Sequence, residues 1–551
     1  MPSTIHKDKS IRFFEILPGA LTWTTLIAAP ILSYYHPVWI AIYIILFDTY
    51  WFLKAGNVAI HLFHSYARLK IHERISWPDW LNRLGKPGFV NYLESLIKQE
   101  KNRRLRSLYK EELARLKKLP ANHNLDWSRI HHLIVLPTYK EDISVLEASI
   151  DSYVATGYPK EKMILALALE ERAGLEARDI ATSISEKYKD SFLFVLTTFH
   201  PHGLEGEVVG KAGNMNFACR KARIEFDQRN IPYEDVIISA FDADTITSES
   251  YFAHLTYDFL TEVKPLQNSY QPMPVYHNNI WDTPAIARVI AISSSFWQLV
   301  EASRPDRLIT FSSHSMSFKT LVDVGFFKAD SINEDSLIFW QCFVHFNGEY
   351  RNRPLFTIVS MDAVMGNNYW ETMVAQYKQK RRWAYGVTQI GYVFQNVLGN
   401  KAIPWWKRFI YSERILEGHY FWATASIIIA ILGWLPLILG GDRFGDTVLA
   451  YNLPFMTRVI MTTASVFLIL SMYISMVRLP PRPPGYSRWK TVSMLLQWFL
   501  SPIVSSVWGS APAIDAQTRL MLGKYMEEFW VTPKIRKAEN KQSAINSIVN
   551  L

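Results

Sequence analysis

The sequence predicts an α/β domain with a mostly parallel sheet, inserted between α-helical membrane segments. Three observations carry that expectation. Long uncharged stretches lie towards both ends of the chain, continuous apolar runs alternate with helix-length amphipathic stretches in the middle, and several of those runs end in carboxylates. The clearest case is "FDADT", in which Asp242 and Asp244 follow the apolar run Val236–Ala240. On an extended segment residues i and i+2 point to the same side, so the two carboxylates are expected to face one another with something positive between them.

The 551 residues exceed one hydrophobic core, and a hydrophobic fraction of 49% with 19 Trp and 27 Tyr points to a membrane protein. Lys and Arg lie largely beside apolar segments, so the net charge of +9 is read as positive cytoplasmic flanks and not as a nucleic-acid surface. Cys219 and Cys342 lack metal-ligand spacing and read as reduced core residues. No cleavable signal is expected at the N-terminus.

The first span is placed at Ile16–Tyr35 and the second at Val38–Phe63, each near the roughly 20 residues that cross hydrocarbon. Lys7, Lys9 and Arg12 precede the pair and Arg68, Lys70 and Arg74 follow it, so both flanks are assigned to the cytoplasm. Asp48 is expected to reach water or to pair with Lys54. Two more spans are placed at about Tyr420–Gly440 and Val459–Val477. The uncharged segment Thr491–Ile514 is long enough to cross, but Pro502 interrupts it and basic residues flank both sides, so it is read as a re-entrant or interfacial hairpin.

Tyr92–Leu119 reads as one charged, solvent-facing helix leading into the domain. Strands are then expected at Leu133–Leu136, Met163–Leu169, Phe192–Leu196 and Val236–Phe241, with helices at Asp142–Tyr158 and Asn214–Arg229. Ligands of such sheets bind beyond the carboxyl ends of the strands. Those ends carry Thr138, Tyr139 and Glu141, then Glu170 and Glu171, then Asp242 and Asp244. Each acid alone has an ordinary reading as a helix cap or solvated turn, whereas together they point to one crevice. The segment "GKAGNMN" is read as a turn whose small residues admit a ligand and whose Lys211 suits phosphate. An acidic pair and a lysine suit a diphosphate carried on Mg2+ or Mn2+, as in a nucleotide-sugar. "QPMPVYHNNIWD" and "FSSHSMSF" are taken as an acceptor wall, with His277 and His314 left out of the metal set.

At these residues the chain resembles the family 2 membrane glycosyltransferases of the cellulose synthase and hyaluronan synthase type, from about Leu133 to Lys534. The resemblance implies a GT-A catalytic domain. Asp242-Ala243-Asp244 matches the family's DxD, which holds the metal and UDP; Asn333-Glu334-Asp335 resembles TED, whose last acid is the catalytic base. "QKRRW" fits QxxRW, with Gln379, with Arg382 approaching the diphosphate and with Trp383 stacking on the acceptor sugar. "FWVTPK" fits FxVTxK, a gating loop carrying Phe529, Val531, Thr532 and Lys534. The plain alternatives are a basic membrane-surface anchor for "QKRRW" and an aromatic interface for "FWVTPK". The chain departs from the family at Asn333, where threonine is usual, and at Glu170-Glu171, where many relatives carry an aspartate pair. Ending soon after the gating loop, it is not expected to be controlled by cyclic-di-GMP through a PilZ module.

The implied protein is an inverting, multi-pass plasma-membrane transferase with a cytoplasmic catalytic domain. It moves sugar from a UDP-sugar to a growing polysaccharide and conducts the product outward. A lipid acceptor with single-sugar addition is the second reading, and a transporter or receptor with an inactive nucleotide-binding domain the third; sugar, linkage and accessory subunits stay open. The divisions are a membrane hairpin at 1–64, a charged helical linker at 65–127, the catalytic domain at 128–350, and "QKRRW" with interface helices at 351–418. A second membrane hairpin at 419–478, a linker with re-entrant or interfacial helices at 479–528, and the gating loop with a basic tail at 529–551 complete the chain.

Overall fold

A computed structural model describes residues 9–536, so Lys7 and the basic tail from 537 lie outside the described residues. The chain divides into two compact units. Of the described residues, one unit is α/β and comprises His64–Asn278 and Gln298–Asp362; the other is helical and comprises residues 9–63, Asn279–Trp297 and residues 363–536.

Eight strands form the sheet of the α/β unit among the described residues: β1 His131–Thr138, β2 Met163–Glu170, β3 Phe194–His200, β4 Val236–Ala240, β5 Ile246–Thr247, β6 Asn268–Val275, β7 His314–Ser317 and β8 Arg351–Ser360. Their order is β3-β2-β1-β4-β7-β6-β8-β5. β1 through β4 pair in parallel, as their unbroken apolar runs require, and β1, β2 and β4 are buried almost throughout. The expected strand at Phe192–Leu196 forms two residues later and runs on through Thr197 and Thr198, because β3 is an edge strand, half-buried, and needs no apolar run.

The second half of the sheet is mixed, with β7 antiparallel to both β4 and β6, β5 antiparallel to β8, and β6 parallel to β8. The two segments expected to be an acceptor wall supply parts of β6 and β7. Pro272 and Pro274 argue against a strand on sequence grounds. They are accommodated because the β6–β7 ladder covers only Ser269 and Tyr270, and because the β6–β8 register shifts between Pro272 and Met273. β8 also lies beyond the expected domain boundary at 350.

The expected single helix at 92–119 is two, Phe89–Gln99 and Arg103–Lys117. Asn102 separates them, its side-chain oxygen accepting from the N–H groups of Arg104 (3.0 Å) and Leu105 (3.2 Å) as an N-cap. These helices bury Leu93, Leu105, Leu108 and Tyr109 in the core under the sheet, together with Trp77 and Trp80. The charged region is therefore part of the α/β unit. Arg115 ties it down, donating to Asp258 Oδ1 (2.7 Å), the Asp258 carbonyl (2.8 Å) and Glu262 Oε1 (2.9 Å). Burial alone would push Asp258 up, but Arg115 outweighs it and holds this carboxyl below its ordinary value.

Three helices of the described residues are long and apolar enough to cross a membrane: Ser10–Tyr35, Pro37–His72 and Arg488–Met521; Trp405–Ala430 and Leu432–Leu439 pass that test together, bent by 46°. The fourth expected span lies within Val448–Val477, some of whose side chains are outside the described residues. Arg488–Met521 is a 34-residue helical run, not the two short arms of a hairpin. It absorbs Pro502 at the start of a helical turn and relaxes into π-helical geometry at Ser505–Ser510. Asp48 is buried and accepts from the Thr457 hydroxyl at 3.0 Å, whereas Lys54 pairs with Glu417 at 2.9 Å, so the expected Asp48–Lys54 pair does not form.

Arg115→Ala is expected to destabilise the α/β unit by about 3–5 kcal/mol, because it takes the guanidinium from Asp258 and from the buried Glu112, while Glu262 keeps Arg353 at 2.7 Å. Thermal unfolding of the full chain in detergent, with Lys117→Ala as the exposed control, measures the difference.

Candidate active site

The candidate residues of the α/β unit gather at the carboxyl ends of β1, β2 and β4. Glu141 closes the turn after β1, its Oε2 accepting from the Thr138 hydroxyl (2.7 Å) and the Tyr139 N–H (2.7 Å). Glu170 ends β2, is buried, and accepts from Arg172 Nε, while the Arg172 guanidinium lies 4.1 Å from the centre of the Tyr139 ring. Arg172, which sequence reasoning passed over, thus joins the ends of β1 and β2. Its signal was faint, a basic residue directly following two acids in "LEER".

Lys211 does not sit in a turn. It is the first residue of the helix Lys211–Arg229, whose N-cap Gly210 has a φ of 153° that favours glycine. From there Nζ reaches Asp242 Oδ1 at 2.7 Å and Glu334 Oε1 at 3.5 Å. Burial would lower the Lys211 ammonium, but Asp242, Glu334 and Asp335 outweigh it and raise it above its ordinary value. Glu334 and Asp335 occupy the first turn of the helix Glu334–His345, where the helix dipole favours negative charge. Asp335 Oδ1 accepts from the Ser336 N–H at 2.8 Å.

The expected face-to-face pair at Asp242 and Asp244 is corrected by the structure. β4 ends at Ala240, and the acids lie on a turn closed by the Thr245 N–H and the Asp242 carbonyl (2.9 Å), so strand periodicity does not apply to them. Asp242 meets Lys211 and the Ser312 hydroxyl. Asp244, only 1% exposed, accepts from the Asp362 N–H at 2.7 Å. Ser313 holds the same turn, its hydroxyl 2.8 Å from Thr245 Oγ1 with its backbone at a φ of 63°, a strained value for serine. The repeated serines of "FSSHSMSF" were the only sequence signal for Ser312 and Ser313. Buried His314 is pushed down to about 4 by desolvation, so its imidazole is neutral at pH 7.

Among the described residues, no three His, Cys, Asp or Glu side chains form a metal-binding group. The hard oxygen donors of Asp242 and Asp244 suit Mg2+ or Mn2+, with the remaining positions left to phosphate oxygens and water. The fit is to a cation that arrives with a ligand, since Lys211 already neutralises Asp242.

In the helical unit, Gln379, Arg382 and Trp383 lie on the helix Tyr369–Ala384. Gln379 is buried and accepts from Gln376 at 3.0 Å. The Arg382 guanidinium lies 4.0 Å from the centre of the Phe529 ring and Lys378 Nζ 5.1 Å from that of Trp530, so "QKRRW" and "FWVTPK" touch. The neighbouring Lys380 ammonium, 4.4 Å from the Trp383 ring, is pushed down to about 8 by burial. Thr532 is buried, and Lys534 forms an isolated bridge with Met365.

No family profile matches the chain. Over 344 residues it is 23% identical to the cellulose synthase catalytic subunit [UDP-forming] of Pseudomonas fluorescens (strain SBW25), an overlap of 60% of this chain and 41% of that protein. Its fold is similar to the mannosyltransferase PcManGT from Pyrobaculum calidifontis in complex with GDP-Man and Mn2+, at a TM-score of 0.39 and 16% identity, covering 75% of this chain and 97% of that one. It is also similar to S. aureus TarS 1-349 in complex with UDP-GlcNAc, at a TM-score of 0.30 and 12% identity over 64% of this chain and 93% of that one. Both structural likenesses are loose, and neither bears on the site.

Glu334 supplies a test of the cluster. Burial pushes its carboxyl up to about 7; Lys211 pulls the other way and Asp335 adds to the rise. The folded pKa lies above the ordinary value of 4.5, so Glu334's contribution to stability is fully present below pH 4.5 and is lost as pH rises through about 7. Glu334→Gln is expected to flatten the fall in Tm across that window and to recover roughly 1–3 kcal/mol above it. Thermal unfolding of both chains as a function of pH measures this.

Proposed function

We propose that the protein is a membrane glycosyltransferase that takes its sugar from a UDP-sugar and adds it, with inversion, to the end of a polysaccharide that it also exports. The observation that carries this reading is the buried Lys211 ammonium held between Asp242 and Glu334, with Asp335 in the same helical turn as Glu334. A lysine beside acids at the carboxyl ends of a parallel sheet suits a nucleoside diphosphate. Similarity to a UDP-forming cellulose synthase subunit and the helices long enough to cross a bilayer support the class of acceptor and the membrane setting. The positive flanks of those helices favour a cytoplasmic α/β unit.

In the reaction Asp335 accepts the proton of an acceptor hydroxyl, whose oxygen attacks the anomeric carbon as UDP leaves in line. Lys211 and Arg382 are assigned to the growing charge on the leaving diphosphate, and Trp383 to stacking on the acceptor ring. Asp242 and Asp244 would hold Mg2+ or Mn2+, which when bound neutralises diphosphate charge. Thr138, Tyr139, Glu141 and Glu170 are assigned to the nucleoside end of the donor, and Phe529, Val531, Thr532 and Lys534 to a loop that responds to it.

Asp335→Asn is expected to lower sugar-dependent nucleotide release by about a hundredfold to ten-thousandfold, the range for loss of a general base, while UDP binding changes little. The assay is a screen of UDP- and GDP-sugars with the purified full chain and Mg2+ or Mn2+, followed by sizing of the labelled product. Undiminished release from the variant removes the base assignment, and a single-sugar lipid product replaces the polysaccharide reading with the lipid one.

A further inference from the structure

The N-terminal helix Lys9–Tyr35 does more than its apolar composition requires. It packs on the helix Ala511–Met521 so closely that a Cβ on Gly19 would stand 2.9 Å from the Gln517 carbonyl oxygen. The Thr22 hydroxyl donates to Gln517 Oε1 at 2.7 Å, and Trp23 Nε1 donates to the Thr518 hydroxyl at 2.9 Å. Arg12 then closes the end of that partner helix: Nη1 donates to the Leu520 carbonyl at 2.7 Å and Nη2 to the Met521 carbonyl at 2.6 Å. These are last-turn carbonyls, at the negative end of the helix dipole, so a guanidinium satisfies them and neutralises their partial charge.

The chain leaves this helix through Gly523, whose φ of 73° and bond from Lys524 N–H to the Arg519 carbonyl (2.8 Å) form a left-handed cap. Two residues on, the Tyr525 hydroxyl donates to Glu15 Oε2 at 2.6 Å, and the same oxygen takes Arg12 Nη1 at 3.1 Å. One guanidinium and one buried carboxylate of the first helix therefore grip both sides of the turn from which the "FWVTPK" loop springs. The Met526 N–H adds a bond to the Tyr385 hydroxyl at 3.0 Å, and the far end of the loop is fixed by Pro533 and Ile535 on Met365 at 3.1 Å each.

We propose that Arg12 and Glu15 of the N-terminal helix are positioning residues for the "FWVTPK" loop, setting the angle at which it leaves the Ala511–Met521 helix. The role does not require either side chain to touch a substrate. It rests on the transferase reading only in assigning the loop to donor binding.

The test is hydrogen exchange of the full-length wild type and of Arg12→Ala, Arg12→Lys and Tyr525→Phe in detergent, paired with titration of UDP in the presence of Mn2+. Arg12→Ala is expected to speed exchange at residues 524–531 by about tenfold, the loss of charge-assisted hydrogen bonds, while residues 511–518 stay within about twofold. UDP is expected to bind several-fold more weakly. Arg12→Lys, a point charge able to reach one carbonyl, should restore part of both effects. Tyr525→Phe removes a single hydroxyl and should speed exchange at 524–527 by roughly fivefold, which keeps the outcome readable if Arg12→Ala fails to fold. Exchange that rises equally across 511–536, or stays within about twofold of wild type in the loop of both Arg12→Ala and Tyr525→Phe, overturns the proposal. A wild type that binds no UDP counts against the transferase reading and leaves the exchange result to decide the anchor.

Discussion

The α/β unit is organised around an ammonium buried among carboxylates. Lys211 is 11% exposed at its side chain and Glu334 3%, so neither charge is solvated as it would be in water. An isolated buried ion costs several kcal/mol, and three together are tolerable only when the signs alternate at contact distance. Lys211 against Asp242 at 2.7 Å and Glu334 at 3.5 Å meets that condition. The arrangement goes with local structure: the glycine at position 210 lets the helix begin where Nζ can reach the end of β4, and the helix that carries the two acids begins directly after Asn333. Such a cluster is poised for exchange. On the proposed function an incoming diphosphate would take the ammonium from Asp242, and a cation arriving with it would replace the lost positive charge.

How much of this was legible depended on whether local pattern and long-range pairing agreed. The parallel half of the sheet could be read from apolar runs because strands buried on both faces have no other composition available to them. The mixed half could not. β6 carries two prolines and β7 is four residues of serine, histidine and methionine, and both are strands only because β4 and β8 lie alongside. The residues that gather at the strand ends were mostly visible as polar breaks after apolar runs. Arg172, Ser312 and Ser313 were not, since a serine hydroxyl or one arginine carries no periodic signal and its partner is fixed by tertiary structure.

The helical unit gives the complementary case. Local apolarity marked the long apolar helices, but Pro502 and the basic residues on both flanks suggested a hairpin where the structure has a 34-residue helical run from Arg488 to Met521. A proline in the first turn of a helical segment loses no hydrogen bond, and the irregular geometry at Ser505–Ser510 takes up the remaining mismatch. Asp48 shows the same limit from the side of electrostatics. Its sequence neighbour Lys54 is drawn instead to Glu417 and the rings of Tyr50, Trp51 and Phe421, and Thr457 supplies the hydrogen bond to the carboxylate.

The two aspartates after β4 show why a short motif does not reveal a division of labour. Asp244 is held by the backbone N–H of Asp362, just past the end of β8, and its own carbonyl accepts from Asn278 at 3.0 Å. A carboxylate fixed by backbone in a buried position has little freedom, so its first consequence is to tie the ends of β4, β6 and β8 together. Asp242 is more exposed, at 28% of its side chain, and meets the Lys211 ammonium and the Ser312 hydroxyl. On the proposed function Asp242 would hold the cation with the more exposed carboxylate and Asp244 with the one already fixed by backbone. The residue between them, Ala243, is buried and its carbonyl accepts from the Ser149 hydroxyl at 2.8 Å, which leaves the two acids as the turn's variable and its fixed point.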